Sequence, residues 1–256
     1  MLLAIDVGNT TIVMGVFDSH NKLKGTWRMA TGVHRMADEY AMVMCSLFEL
    51  KGISPSEITE VVLCSVVPPL IGVFNDACKR YFNADVLTVE AGVKTGVRIC
   101  MDNPREVGTD RVVNAVAAHD LYGGPVIVID LGTATTFDVV SEDGDYLGGV
   151  ISPGIAIATE ALFNRTAALP RVELTHPKRA IGTNTIAAMQ SGIVFGYAGL
   201  IESIVNRIQK ELGVKAKVVA TGGYASLLAQ ETSVIEVVNQ DLTLDGLRLI
   251  YQMNRK

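Results

Sequence analysis

Two short runs constrain this chain more than anything else in it: Asp6-Val7-Gly8-Asn9-Thr10 and Asp130-Leu131-Gly132-Thr133, each an Asp-led glycine turn that follows an apolar stretch. The same order recurs around both. Leu2 to Ile5 reads as a strand, the turn follows, Thr11 to Phe17 is a second strand ending at Asp18-Ser19-His20-Asn21, and Leu23 to Met29 is a third. The order returns at Val126 to Ile129, Thr135 to Val140, the polar turn Glu142-Asp143-Gly144-Asp145, and Tyr146 to Ile151. A strand, glycine turn, strand, polar turn, strand unit used twice predicts two related α/β halves facing each other. No low-complexity linker parts them, and the expected domains are 1–117 and 118–256.

The intervening segments supply the helices and remaining strands. Asp38 to Leu50 has helical periodicity and stops at Gly52; Val61 to Val67 is an apolar run closed by Pro68-Pro69, suited to a strand buried on both faces. A helix over Leu70 to Tyr81, a short strand over Asp85 to Val89 and a helix over Asp110 to Tyr122 follow. Thr183 to Leu212 is predicted helical, with Gly192, Gly196 and Gly199 permitting close packing; Val218 to Thr221 is a buried strand and Leu242 to Met253 a last helix.

With 256 residues, 49% hydrophobic and 19% charged, the chain can bury a substantial core, and disorder is disfavoured. A net charge of −5 without runs of like charge gives no global attraction to nucleic acid or anionic lipid, so neither is an expected partner. The N-terminus lacks a basic region, and no apolar run approaches the ~18 residues of a membrane span, so a cytoplasmic protein is expected. Cys45, Cys64, Cys78 and Cys100 form no C-x-x-C pair and read as buried reduced thiols; His20, His34, His119 and His176 have no metal-ligand spacing.

Phosphate oxygens need fixed donors and a cation. A tight turn rich in Gly and Thr offers backbone amides and hydroxyls, and a carboxylate at the strand end can hold Mg²⁺ together with waters and phosphate oxygens. A single such turn also fits an Asp-initiated hairpin with no ligand. Two after buried strands, in repeated context, favour a nucleotide clamp, and neither a Walker A motif nor a G-x-G-x-x-G competes with them. Val218 to Tyr224 ends a strand in Gly222-Gly223, where an adenosine could lie against backbone; a plain strand-to-helix turn would read the same way. Asn103 to Arg111 delivers Asp110 and Arg111 at a helix start. That pair suits a base and an anion-holding group, but equally an ordinary N-cap and a solvated arginine.

The set DVGNTT at Asp6 to Thr11, NPREVGTDR at Asn103 to Arg111, DLGTATT at Asp130 to Thr136, GGVISPG at Gly148 to Gly154, NTxxAMQSG at Asn184 to Gly192 and TGG at Thr221 to Gly223 resembles the type III pantothenate kinases from end to end. That family belongs to the acetate and sugar kinase, Hsp70 and actin superfamily. The resemblance implies two duplicated ribonuclease H-like (actin-like) domains, each a mixed five-stranded sheet flanked by helices, with the active site in the cleft between them. The second domain would carry the adenosine segment and dimerisation helices. It implies ATP-dependent phosphorylation of pantothenate, the first step of coenzyme A biosynthesis, by a homodimer. On the same footing Asp6, Val7, Gly8, Asn9, Thr10, Thr11, Ile12 and Val13 form the first phosphate loop, Asp6 also being placed to hold Mg²⁺, and Thr133 is a second ATP contact. Asp110 is the proton acceptor. Gly108, Thr109, Asp110 and Arg111 touch pantothenate, as does Thr185 near the dimer interface, and Asp130 binds a monovalent cation, K⁺ or NH₄⁺. Two residues depart from the pattern: Thr109 stands where alanine is common, and Met101 where many relatives line the pantothenate pocket with tyrosine.

Two rivals accompany this reading. One is a kinase of the same superfamily with another small acceptor, its choice resting on residues such as Arg111 and Thr185. The other is a non-catalytic relative serving as a regulatory or interaction protein; intact Asp6, Thr10, Asp110 and Asp130 weigh against it, since buried carboxylates are costly without a task.

Overall fold

The duplicated pattern becomes two units in the computed structural model, which describes residues 1–255. The first unit comprises residues 1–97 and 102–117 together with the chain from Leu242 on; the second comprises 98–101 and 118–241.

In the first unit, β1 (Leu2–Val7), β2 (Thr11–Phe17) and β3 (Leu23–Ala30) form the antiparallel meander, followed by α1 (Ala37–Glu49), β4 (Glu60–Ser65), α2 (Pro68–Phe82) and β5 (Val86–Thr88). The sheet order is β3-β2-β1-β4-β5, with β4 and β5 joined in parallel. Pro68 and Pro69 start α2, where their missing N–H groups cost nothing, and Asn83 ends it in the left-handed region. Side chains alternate along β1. Leu3, Ile5 and Val7 pack in one core with Tyr40 and Phe48 of α1 and Phe74 of α2. Leu2 and Ala4 point the other way, into a core shared with Cys64 of β4 and with Val113 and Val116 of α3 (Thr109–Tyr122). By the same alternation Asp6 belongs to this second face.

The second unit repeats the plan. Its strands β6 (Val126–Leu131), β7 (Ala134–Val140) and β8 (Tyr146–Pro153) form the meander; α4 (Ile155–Asn164), α5 (Thr185–Leu212), β9 (Lys217–Thr221), α6 (Ala225–Leu228) and β10 (Val237–Val238) follow. The order β8-β7-β6-β9-β10 and the sense of each pairing match the first sheet, so the expected ribonuclease H-like duplication is the fold observed. Asn184 caps α5 through Oδ1 to the Ala187 amide at 2.9 Å, and Gly213 at φ 69° closes it. Among the described residues α5 alone is long and apolar enough to cross a membrane. Its Met189, Ile193, Val194, Ile201 and Val205 pack in the core with Ile127 and Ile129 of β6.

Two expectations change. The terminal helix, α7 (Leu242–Asn254), expected with the second half, belongs to the first unit, where Leu244, Leu247 and Ile250 fill the core under β1 and β4. Gly246 brings it against α3 so closely that a Cβ would stand 2.2 Å from the Val113 carbonyl oxygen. Amphipathic spacing marks an apolar face but not the sheet that receives it. All four cysteines are free thiols, yet only Cys64 and Cys78 are buried; Cys45 is half-buried and Cys100 exposed.

Candidate active site

In the first unit the chain leaves β1 at Val7, turns through Gly8, Asn9 and Thr10, and re-enters the sheet at Thr11. The Gly8 amide donates to the Thr11 carbonyl at 3.0 Å, and a Cβ on Gly8 would lie 2.9 Å from that oxygen, so the turn is too tight for a side chain there. Asn9, Thr10 and Thr11 are exposed, and Asp6, Gly8 and Val13 are half-buried. The side chains of Val7 and Ile12 are wholly buried in the core. These two can therefore meet a ligand only through backbone.

The turn is braced from outside by residues that carried no sequence signal. Thr31, just past β3, donates its hydroxyl to the Gly8 carbonyl at 2.7 Å and its amide to the Thr10 carbonyl at 3.0 Å. The buried Tyr40 hydroxyl bonds both the amide and the carbonyl of Gly32, each at 3.0 Å. The two Thr31 bonds hold the Gly8 and Thr10 carbonyls against the protein, and Tyr40 anchors the segment that bears Thr31. Asn9 and Thr10 are left on the exposed side of the turn.

On the same face of the sheet lies the start of α3. The Arg111 amide donates to Asp110 Oδ1 at 2.9 Å, and Gly108 leaves room for that oxygen, which would be 2.5 Å from a Cβ. Burial pushes the Asp110 carboxyl above the usual carboxylate range, against the opposing pull of the Arg111 amide and charge. Asp6 and Asp110 both bear on the Cys64 thiol, which burial and these carboxylates together hold well above its ordinary pKa. The first unit thus brings Asp6 and Asp110 close to the Cys64 thiol, with Gly108, Thr109 and Arg111 flanking Asp110 along the chain. Among the described residues no group of three or more His, Cys, Asp and Glu could ligate a metal. A Mg²⁺ ion fits this donor set, because it takes one or two carboxylates and completes its shell with water and phosphate.

In the second unit the turn between β6 and β7 is shorter, Gly132 and Thr133 alone, with the Gly132 amide donating to the Ala134 carbonyl at 3.1 Å. Asp130 Oδ1 lies in a cradle of backbone: a Cβ on Gly222 would be 2.7 Å away and one on Gly132 3.2 Å away. Gly222 also has φ 92°, so glycine is required there twice over. The carboxylate of Asp130 is the donor that a cation would use here. Gly154 closes on the turn from the other side, its Cβ position 2.0 Å from the Thr133 carbonyl oxygen and 2.7 Å from that of Gly132. Thr133 is exposed. The other expected contacts of this unit sit on different elements. Met101 stands beside Gly148 of β8, and Thr185, exposed, opens α5 on the rim of a cavity of about 930 Å³.

Comparison with known proteins agrees with this architecture. The family model described as type III pantothenate kinase matches residues 2–207. A type III pantothenate kinase of Dehalococcoides mccartyi is 54% identical over 99% of this chain and 96% of its own length. One of Moorella thermoacetica is likewise 54% identical, over 99% of this chain and its whole length. Among solved structures, component A of the (R)-2-hydroxyglutaryl-CoA dehydratase of Acidaminococcus fermentans superposes with a TM-score of 0.58, covering 100% of this chain and 99% of that one at 14% identity. That likeness speaks to the fold.

Proposed function

We propose, from the premise that the chain belongs to the type III pantothenate kinase family, that Asp110 is the general base of a phosphoryl transfer from ATP to pantothenate. The enzyme phosphorylates pantothenate in coenzyme A biosynthesis, as its family does. The observation that carries the site assignment is the convergence of Asp6 and Asp110 from separate elements on one buried thiol, with the Asp110 carboxyl raised toward the range useful to a base.

In-line transfer passes through a loose transition state, so the chain chiefly positions reactants and stabilises charge. The first turn cradles the phosphates, and Thr133 is a further ATP contact. Asp6 would hold Mg²⁺ and Asp130 a monovalent cation, which when bound neutralise charge on the phosphate oxygens. Asp110 orients the pantothenate hydroxyl and accepts its proton. Arg111 pairs with the pantothenate carboxylate, and Gly108, Thr109, Met101 and Thr185 shape the remainder of its pocket. A cytoplasmic homodimer is the corresponding assembly. Exposed Ile151, Ile157, Leu162, Ile181 and Ile186 lie on or next to residues lining the α5 cavity, and they support an interface there.

The direct test is pantothenate phosphorylation measured with K⁺, NH₄⁺ and Na⁺ in parallel. Turnover is expected with K⁺ or NH₄⁺ and about tenfold less with Na⁺, the difference of a mis-sized ion on charge stabilisation. Equal rates with all three would remove the Asp130 role and spare the kinase. Absence of turnover on pantothenate, with turnover on another acceptor, would overturn the acceptor assignment itself. A second expectation concerns the brace on the first turn. Thr31→Val, which keeps shape and loses the hydroxyl, should weaken ATP binding about threefold to tenfold, the worth of one hydrogen bond, while Thr31→Ser stays near wild type. Calorimetric titration with a non-hydrolysed ATP analogue reads this directly; unchanged affinity in Thr31→Val would show the turn holds its shape unaided.

A further inference from the structure

One nucleophilic side chain at the centre of the first unit's site has no part in the transfer just described. Cys64 is the register partner of Asp6 across the parallel β1 and β4 ladder, so the two side chains leave the sheet on the same face. Its Sγ is fully buried and lies 3.2 Å from Oγ1 of Thr109, the first residue of α3 and the one immediately before Asp110. The nearby Asp6 carboxylate also acts on the thiol electrostatically. Chemistry at sulfur is disfavoured because the group is inaccessible. What remains is a neutral S–H that can link oxygens without adding charge beside the phosphates.

The link has a defined mechanical place. The Arg111 amide and the space left by Gly108 orient the Asp110 carboxylate within the first turn of α3. Neither ties that turn to the sheet. The Cys64 to Thr109 bond does, and it depends on the threonine hydroxyl: an alanine at 109 would offer the thiol no oxygen. We propose that Cys64 is a positioning residue of the kinase, joining Thr109 to the strand pair that carries Asp6 and so fixing the distance between Asp6 and the base Asp110. The proposal rests on the reading of Asp110 as base.

The test is a double-mutant cycle in kcat and KM for ATP and pantothenate, using Cys64→Ala, Thr109→Ala and both together, with Cys64→Ser as the conservative replacement and melting curves for each. Cys64→Ala should lower kcat about fivefold to tenfold, the worth of one lost hydrogen bond, with both KM values within about twofold of wild type. Cys64→Ser should recover most of the loss, and in the Thr109→Ala background Cys64→Ala should cost nothing more. A filler role for the thiol predicts a lower melting temperature with kcat intact, or losses that add across the cycle; either result overturns the proposal. Should Cys64→Ala fail to fold, Thr109→Ser against Thr109→Ala decides: turnover kept by serine and lost with alanine supports the link, and equal turnover overturns it. Unaltered enzyme and Asp110→Asn run alongside. Inactivity of the former on pantothenate, or full turnover of the latter, would remove the underlying reading separately from anything Cys64 does.

Discussion

Asp110→Asn is expected to lower kcat by about 10²- to 10⁴-fold, the usual contribution of a positioned general base, while affinities for ATP and pantothenate stay near wild type. The same change should raise the melting temperature at neutral pH. The sign follows from burial, which pushes the Asp110 carboxyl above its ordinary value of 3.8 in the folded protein. Between that value and the raised one the folded state binds more protons than the unfolded state, so the contribution of Asp110 to stability falls as pH rises through this window. At neutral pH the charged carboxylate therefore opposes folding. Asparagine keeps the shape and the oxygen that accepts from the Arg111 amide, and it removes the charge. In the wild-type enzyme the acid limb of kcat/KM should lie above the usual carboxylate range and should vanish in the variant. Near-normal turnover would end the assignment of Asp110 as base; a lower melting temperature would mean that its partners outweigh its burial.

Gly154→Ala is expected to act through sterics alone. Gly154 has φ −68° and ψ 152°, which alanine adopts without strain, so the added methyl is the whole perturbation. That methyl would stand 2.0 Å from the Thr133 carbonyl oxygen and 2.7 Å from that of Gly132, and both belong to backbone that no rotamer change can move aside. Overpacking of this kind costs about 1–3 kcal/mol. The displaced segment bears Thr133, the proposed ATP contact, so a rise of about tenfold or more in KM for ATP should accompany the lower melting temperature. Gly72, exposed within α2 with nothing within 4 Å of its Cβ position, provides the contrast. Alanine there should stabilise by up to about 1 kcal/mol through helix propensity and leave the kinetics alone. If Gly154→Ala changed stability without changing KM for ATP, the second turn would not be a nucleotide contact.

The sequence made the duplicated half-sites legible because their signals are local. An Asp-x-Gly turn between two apolar strands can be read from a dozen consecutive residues, and the strands found at Leu2–Val7 and Val126–Leu131 extend the expected ones by only two residues each. What was not legible depends on distance along the chain. Thr31 grips a carbonyl 23 residues away, and Cys64 meets Thr109 across 45. Neither residue type announces such a partner, since a threonine after a strand and a cysteine within one are ordinary. Gly154 and Gly222 were visible as glycines in motifs, but only the fold reveals that one abuts Thr133 and the other cradles Asp130. The turns themselves looked equivalent and are not, the first having three residues between its strands and the second two.

The terminal helix also dictates an order of events during synthesis. A ribosome finishes residues 118–241, all that remains of the second unit after residues 98–101, before it reaches Leu242. The first unit must wait for Leu244, Leu247 and Ile250 to cover the sheet face that carries Asp6 and receives α3. N-terminal domains usually fold first during translation. Here the half bearing the proposed base is completed last, so a nascent chain interrupted anywhere before α7 would leave an apolar sheet face uncovered for chaperones to meet.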